Sequence, residues 1–167
     1  MDNREGILFS DFFSVKEVDK DGKKFDRVSR IGARSENYDV ELTLDVNSEL
    51  YPLDHSDKFS LVLASTLALS SIQPFSAQAG QALSEVQPSA YPKTDVSWRS
   101  VVSGSERSLA DEYEYVMYGK IYRFDDSAGS KLSVFVSFGG LLMCLEGEYH
   151  HLQNLTVGEN VYLLMRK

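Results

Sequence analysis

The most constraining feature of the sequence is a strict alternation of apolar and polar residues over positions 38–46. Its apolar positions are Tyr38, Val40, Leu42, Leu44 and Val46. Successive side chains of a β-strand point to opposite faces, so a period of two predicts a strand with one face in a core and the other in water. Seven further segments have strand-like patterns: 8–18, 25–35, 58–65, 112–124, 131–138, 141–147 and 160–166.

Turn-forming residues separate these segments. Asp-Lys-Asp-Gly at 19–22, an acidic and glycine-containing stretch at 125–129, and the pair Gly139-Gly140 each suit a hairpin connection. About eight short strands joined by turns predict an all-β fold, either an antiparallel barrel or a sandwich. We interpret the 167 residues as one domain.

A long polar segment interrupts the strand pattern at residues 68–107. Of its 40 residues, 23 are Ser, Ala, Gln, Pro or Gly. This composition predicts a long, flexible, disordered loop. The strands on either side of the loop must pair with each other, because neither half alone makes a convincing closed sheet.

Composition excludes several classes of function. The formal net charge is −8, which disfavours coating duplex DNA or an anionic membrane through the whole surface. Cys144 is the only cysteine, so neither an intramolecular disulfide nor a cysteine-based zinc site can form. No run approaches the roughly 18 apolar residues of a membrane span, and we expect no secretory signal.

The sequence contains no recognisable catalytic or cofactor motif. It has no Gly-x-Ser-x-Gly elbow and no phosphate-binding glycine loop. Of the three histidines, His55 is isolated, and the adjacent pair His150 and His151 is expected to point to different sides of its element. We therefore predict no catalytic residue, no metal site and no cofactor.

Basic residues concentrate in one predicted hairpin. Seven of the 17 basic residues lie between positions 16 and 34, beside the aromatic rings of Phe25 and Tyr38. Such a segment can follow a phosphate backbone while a ring stacks on a base. The candidate nucleic-acid contacts are Lys20, Lys23, Lys24, Phe25, Arg27, Arg30, Arg34 and Tyr38. The alternative is a strand pair whose solvent face happens to be basic.

Three segments, 115–118, 141–145 and 162–165, are apolar on successive positions and therefore on both faces of a strand. An isolated antiparallel barrel buries only one face of each strand. A second cover is expected over the outside, formed by the chain's own long loop or by another protein. The candidate partner contacts are Tyr115, Met117, Tyr118, Gly139, Gly140, Leu141 and Leu142.

Several stretches of the sequence resemble motifs of a known family. Residues 108–119 read Ser-Leu-Ala-Asp-Glu-Tyr-Glu-Tyr-Val-Met-Tyr-Gly, residues 137–143 read Ser-Phe-Gly-Gly-Leu-Leu-Met, and the chain ends in Tyr-Leu-Leu-Met-Arg-Lys. Together with residues 22–30 and 44–47, they resemble the small shared subunit, usually counted eighth, of the eukaryotic nuclear RNA polymerases I, II and III. The likeness covers nearly everything outside residues 70–97.

The resemblance implies an eight-stranded antiparallel barrel related to the oligonucleotide/oligosaccharide-binding (OB) fold. It implies a non-catalytic subunit that packs on the largest polymerase subunit in the nucleus, in nucleoplasm and nucleolus, with non-specific single-stranded DNA binding in residues 19–43. One alternative is a free-standing single-strand-binding module. Another is a barrel that holds a small ligand or catalyses a reaction, which the apolar interior predicted for residues 38–46 disfavours.

Overall fold

The computed structural model describes residues 6–23, 25–67, 108–126 and 129–167. The predicted loop at 68–107 lies outside these residues. The strands are β1 (Ile7–Val18), β2 (Val28–Ser35), β3 (Glu41–Asn47), β4 (Lys58–Ala64), β5 (Tyr115–Asp125), β6 (Lys131–Phe138), β7 (Leu141–Glu148) and β8 (Asn160–Arg166). A 3₁₀ turn (Leu109–Glu112) precedes β5, and a short helix, α1 (Tyr149–Leu152), follows β7.

The eight strands close into one antiparallel barrel with the order β1-β2-β3-β7-β6-β5-β8-β4. In each half of the chain the fourth strand returns to lie beside the first, giving the spatial orders β4-β1-β2-β3 and β8-β5-β6-β7. This is the Greek-key arrangement, present twice. The halves join where β3 pairs with β7 and β4 pairs with β8, so the two halves do pair with each other across the central segment. The two strands that directly flank that segment, β4 and β5, do not pair, because β8 lies between them.

All eight predicted strands are present, and three of them begin later than predicted. β2 starts at Val28 because Phe25 and Val28 bridge across a tight turn. β3 starts at Glu41 because Asp39 has a φ of 57°, which interrupts extended backbone. β5 starts at Tyr115 because Ser108 caps the 3₁₀ turn, accepting a hydrogen bond from the Ala110 amide.

The barrel interior is apolar, as the alternation predicted. Leu42, Leu44 and Val46 of β3 are fully buried, and Phe13 of β1 stacks on Phe59 of β4 with ring centroids 5.9 Å apart. Burying each such side chain stabilises the fold by roughly 1.5–3 kcal/mol relative to exposure. Among the described residues, the side chains that face the interior thus form a packed apolar core.

A second apolar cluster covers the outside of β4 and β8. Val62, Tyr162 and Leu164 point away from the barrel interior and are buried against Leu67 and Leu109. Leu67 and Leu109 border the central segment on its two sides. The chain therefore supplies its own cover for the doubly apolar stretch 162–165.

Among the described residues, no helix is long and apolar enough to cross a membrane.

Strands β5 and β6 approach each other unusually closely at Gly119. A methyl group added there would overlap the carbonyl oxygen of Ser137 and lie 2.6 Å from a ring carbon of Phe138. Any larger residue would push the two strands apart, because a ladder carbonyl cannot move without breaking its strand pairing. The close spacing of β5 and β6 at this point therefore depends on glycine.

We predict that Gly119→Ala lowers the free energy of unfolding by about 1–3 kcal/mol, the usual cost of overpacking a filled site. Gly32→Ala is the matched control, since a methyl group there meets only the Glu17 side chain at an ordinary 3.5 Å. Urea denaturation of both variants measures the difference. Equal stability of the two would contradict the close approach.

Candidate interaction surfaces

A groove of about 490 Å³ lies on the outside of the barrel where the two halves meet. The β1–β2 connection, the outer faces of β2 and β3, and the β6–β7 turn form its walls. It brings three of the candidate nucleic-acid residues, Lys20, Phe25 and Arg30, beside Gly140 and Leu141 of the candidate partner set. The sequence analysis had placed these residues on two unrelated surfaces.

The floor of the groove is organised by Asp45. Its carboxylate accepts hydrogen bonds from Arg30 Nε at 2.7 Å and Nη2 at 3.0 Å, and from the Leu142 backbone amide at 3.0 Å. The alternation had assigned Asp45 to the solvent face, but its side chain is only 10% exposed because Arg30 and β7 cover it. Asp45 therefore ties β2, β3 and β7 together at the junction of the halves.

The environment of Asp45 favours its ionised form. Burial raises the pKa of the carboxyl group, but the hydrogen bonds from Arg30 and the Leu142 amide, with the charge of Arg30, outweigh burial and hold the pKa below its usual value. The Arg30 pKa is raised, first by its hydrogen bond to Asp45. Both groups are fixed in their charged states, which suits positioning rather than proton transfer.

Carboxylates neutralise most of the basic hairpin. Lys20 pairs with Glu17 at 3.5 Å, Arg27 with Glu49 at 3.2 Å, Arg30 with Asp45, and Arg34 with Asp39. Residues 16–34 hold seven basic and four acidic residues, and three of these ion-pair partners (Asp39, Asp45 and Glu49) come from outside that range. The positive surplus seen in the sequence is therefore cancelled by carboxylates of β3 and of the connections on either side of it.

The remaining candidate nucleic-acid residues differ in placement. Phe25 is 68% exposed at the rim of the groove, where a ring could stack on a base. Lys23 is also exposed, and Lys24 lies outside the described residues. Tyr38 is half-buried, and its ring packs on His151 with centroids 4.5 Å apart, away from the groove lining.

Three of the candidate partner residues serve the barrel itself. Tyr115 is 8% exposed, stacks on Tyr51, and accepts a hydrogen bond from the Asn47 amide. Met117 and Leu141 pack against the core from partly buried positions. These three side chains stabilise the closed barrel, whatever else they contact.

The other four candidate partner residues lie together at one end of β5, β6 and β7. The strand register places Tyr118 next to the Gly139-Gly140 turn and Leu142 opposite Ser137. Both glycines have positive φ, 64° and 103°, as a tight hairpin requires. Tyr118 is 38% and Leu142 40% exposed, so apolar surface faces outward here.

Two aromatic residues that the sequence analysis overlooked continue this surface. Tyr122 is exposed and packs against the outward ring of Phe135, with centroids 6.2 Å apart. Phe135 takes a position on the outer side of β6 where a polar residue is expected. The three successive apolar residues Val134-Phe135-Val136 were the sequence pattern that could have revealed this exposed ring. We call Tyr118, Tyr122, Phe135 and Leu142 the outer β5–β7 face.

The expected divergence of the two adjacent histidines is wrong. His150 and His151 have ring centroids only 3.9 Å apart, and Glu148 lies beside them. Side chains on successive positions of one helical turn diverge by about 100° in direction, but a rotation of each ring brings the nitrogens together. The three residues occupy the end of β7 and the start of α1.

The closed eight-stranded barrel, with a groove against its second and third strands, is consistent with the OB-related class of β-barrel proteins. The family model RNA polymerase Rpb8 matches residues 10–167. The chain belongs to this family.

Curated relatives agree over nearly the full length. The chain is 46% identical over 167 residues to the Caenorhabditis briggsae protein named "Probable DNA-directed RNA polymerases I, II, and III subunit RPABC3", with 97% of each chain covered. It is 42% identical to the corresponding subunits named in Dictyostelium discoideum and Saccharomyces cerevisiae, each alignment covering 96% of this chain and 97% of the relative.

We predict that Asp45→Asn destabilises the barrel at neutral pH by about 1–3 kcal/mol, because Arg30 and the Leu142 amide lose a charged acceptor. The folded-state pKa of Asp45 is lowered, so its contribution is complete above the unfolded value of about 3.9 and is lost as pH falls through the lower folded value. The variant and the wild type should therefore converge in stability on acidification.

Thermal melts from pH 7 down to pH 2.5 measure this convergence. Asp39→Asn is the control, since Asp39 is exposed, pairs only at the surface, and asparagine accepts its left-handed backbone. A stability gap for Asp45→Asn that persisted unchanged at the lowest pH would contradict the role assigned to the carboxylate.

Proposed function

We propose that this chain is a non-catalytic structural subunit shared by the nuclear DNA-directed RNA polymerases I, II and III. The observation that carries the proposal is the family match over residues 10–167. Relatives that align over 96–97% of this chain, at 42–46% identity, bear names that assign them to these three polymerases. A free-standing single-strand-binding module is disfavoured, because those relatives are named as subunits of an assembly.

The non-catalytic assignment is supported by the state of the ionisable groups in the groove. Asp45 and Arg30 are both stabilised in their charged forms by each other. A general acid or base works best with a pKa near the working pH, and these shifts move both groups away from it. Neither Asp45 nor Arg30 is therefore suited to transferring protons at neutral pH.

Docking on the largest polymerase subunit is proposed through the outer β5–β7 face. Tyr118, Tyr122 and Leu142 are exposed there although they are large and apolar or aromatic. The outer faces of β4 and β8, in contrast, are already covered by Leu67 and Leu109. Tyrosines with one apolar and one wet side are enriched at protein interfaces, which favours a partner at the part of this face around Tyr122 and Leu142, whereas Tyr118 already packs on the ring of Tyr162.

Assembly into these polymerases places the proposed site of action in the nucleus. Polymerases of three classes imply both the nucleoplasm and the nucleolus as locations. The chain carries no clear cluster of basic residues typical of a nuclear-import signal, so import in complex with a partner subunit fits the sequence.

Non-specific binding of single-stranded DNA is proposed only as a weak secondary property. It is supported by the exposed ring of Phe25 at the rim of the groove and by the exposed Lys23, and Lys20 in the groove lining is exposed as well, although it pairs with Glu17. The ion pairs of Arg27, Arg30 and Arg34 oppose it, because a cation already paired with a carboxylate releases few counterions when it meets a phosphate.

We predict that Leu142→Asp releases the subunit from the polymerase, since a charge would be buried in an apolar contact. Leu142 is the better position to change than Leu141, which packs against the core. The measurement is the amount of largest subunit that co-purifies with the tagged chain from nuclear extract, with a thermal melt to verify folding.

Phe12→Asp is the matched control. Phe12 is 56% exposed on β1, which is the strand farthest from β6 around the closed barrel. Stoichiometric recovery with Leu142→Asp, in a folded protein, would reject the outer β5–β7 face as the docking site. Loss of recovery with both variants would show that the effect is not specific to that face.

For single-stranded DNA we predict micromolar or weaker affinity and a shallow salt dependence. One or two phosphate contacts correspond to a slope of log K against log salt of about −0.7 to −1.4. Reversing Lys20 and Lys23 to Glu should abolish the binding, whereas reversing Lys120 and Arg123 on β5 should leave it unchanged. Fluorescence anisotropy at several salt concentrations tests this, and nanomolar affinity with a steep slope would contradict it.

A further inference from the structure

We propose that Glu148, His150 and His151 form a surface binding site for Zn²⁺ or a chemically similar divalent transition-metal ion. Each residue offers one ligand atom, and all three atoms lie within 4.8 Å of one another. Two imidazole nitrogens and one carboxylate oxygen are a donor set that zinc accepts in proteins. Imidazole also suits copper, nickel and iron, whereas magnesium and calcium favour sites made of oxygen alone.

One edge of the coordination polyhedron is already in place. The distance from His150 Nδ1 to Glu148 Oε2 is 3.3 Å. Zinc–nitrogen and zinc–oxygen bonds of about 2.0–2.1 Å at tetrahedral angles separate two ligand atoms by about 3.3–3.4 Å. The separation of these two atoms therefore already matches that of two ligands of one ion. The remaining separations among the three ligand atoms, all within 4.8 Å, need to shorten by up to about 1.5 Å.

The backbone that carries the ligands is fixed by the fold. The Tyr149 amide donates a hydrogen bond to the Ser130 carbonyl at 2.9 Å, and Leu152 of α1 is fully buried in the core. The ring of Tyr38 packs on His151 and restricts its orientation. Ligands held on a rigid backbone lose little conformational freedom when the metal binds, which favours binding.

The surroundings limit the affinity of the site. The side chains of Glu148 and His150 are 52% and 62% exposed, and Lys131 lies opposite Glu148 in the β6–β7 ladder. Solvent access and a neighbouring cation both weaken attraction for a metal ion. Three protein ligands also leave the fourth tetrahedral position open for water or for a donor from a neighbouring protein.

The test uses the full-length chain without an affinity tag, because a histidine tag would itself bind the metal. Titration with ZnCl₂ is followed by calorimetry, and titration with Co²⁺ by the visible absorption that four-coordinate cobalt acquires. We expect one ion per chain. Histidine ring resonances in NMR spectra should shift for His150 and His151 and remain unchanged for His55.

The variants are His150→Asn, His151→Asn and Glu148→Gln, with His55→Asn as the matched control, since His55 lies in the β3–β4 connection. Each ligand variant should weaken zinc binding more than about tenfold, a loss that even outer partners of metal sites can cause, and the control should not. Thermal melts in the absence of metal verify folding. Absence of zinc binding in the wild type, or equal losses in all four variants, would overturn the proposal.

Discussion

Closure of the barrel is the constraint on which the rest of the structure depends. A Greek key in each half of the chain leaves two open edges, and unpaired edges of a sheet attract other strands. The pairings of β3 with β7 and of β4 with β8 remove all four edges at once. The same closure buries the inner face of β8, creates the groove at the junction of the halves, and brings the amide of Leu142 to the carboxylate of Asp45.

The charged side chains described on this barrel mostly form local ion pairs and do not make an extended patch of one sign. The basic residues of the β1–β2 region would attract a polyanion if the hairpin stood alone, but β3 and the adjoining turns supply carboxylates to three of its arginines. A surface of compensated charges gives little long-range steering. Such a surface can still fix how a partner protein is oriented when it binds. In a protein interface, paired charges set the alignment of the two partners more than they raise the affinity.

Apolar side chains on the outside of the barrel are buried in one region and exposed in another. Around β4 and β8 the chain covers itself, through residues that border the central segment. On the outer β5–β7 face, Tyr122 and Leu142 remain exposed. The difference between these two regions gives a physical reason to expect a partner at one and not at the other.

The sequence by itself determined the eight strands, the apolar interior and the family. A period of two and a contiguous motif are both properties of residues that are neighbours in the chain, so they can be recognised without the fold. Tertiary structure decided which strands pair, that Asp45 is buried rather than solvated, and that His150 and His151 converge beside Glu148. It also decided that the basic hairpin is neutralised, since Asp39, Asp45 and Glu49 lie beyond its end in the chain. These outcomes depend on neighbours brought together by folding, and no local pattern records which neighbours those are.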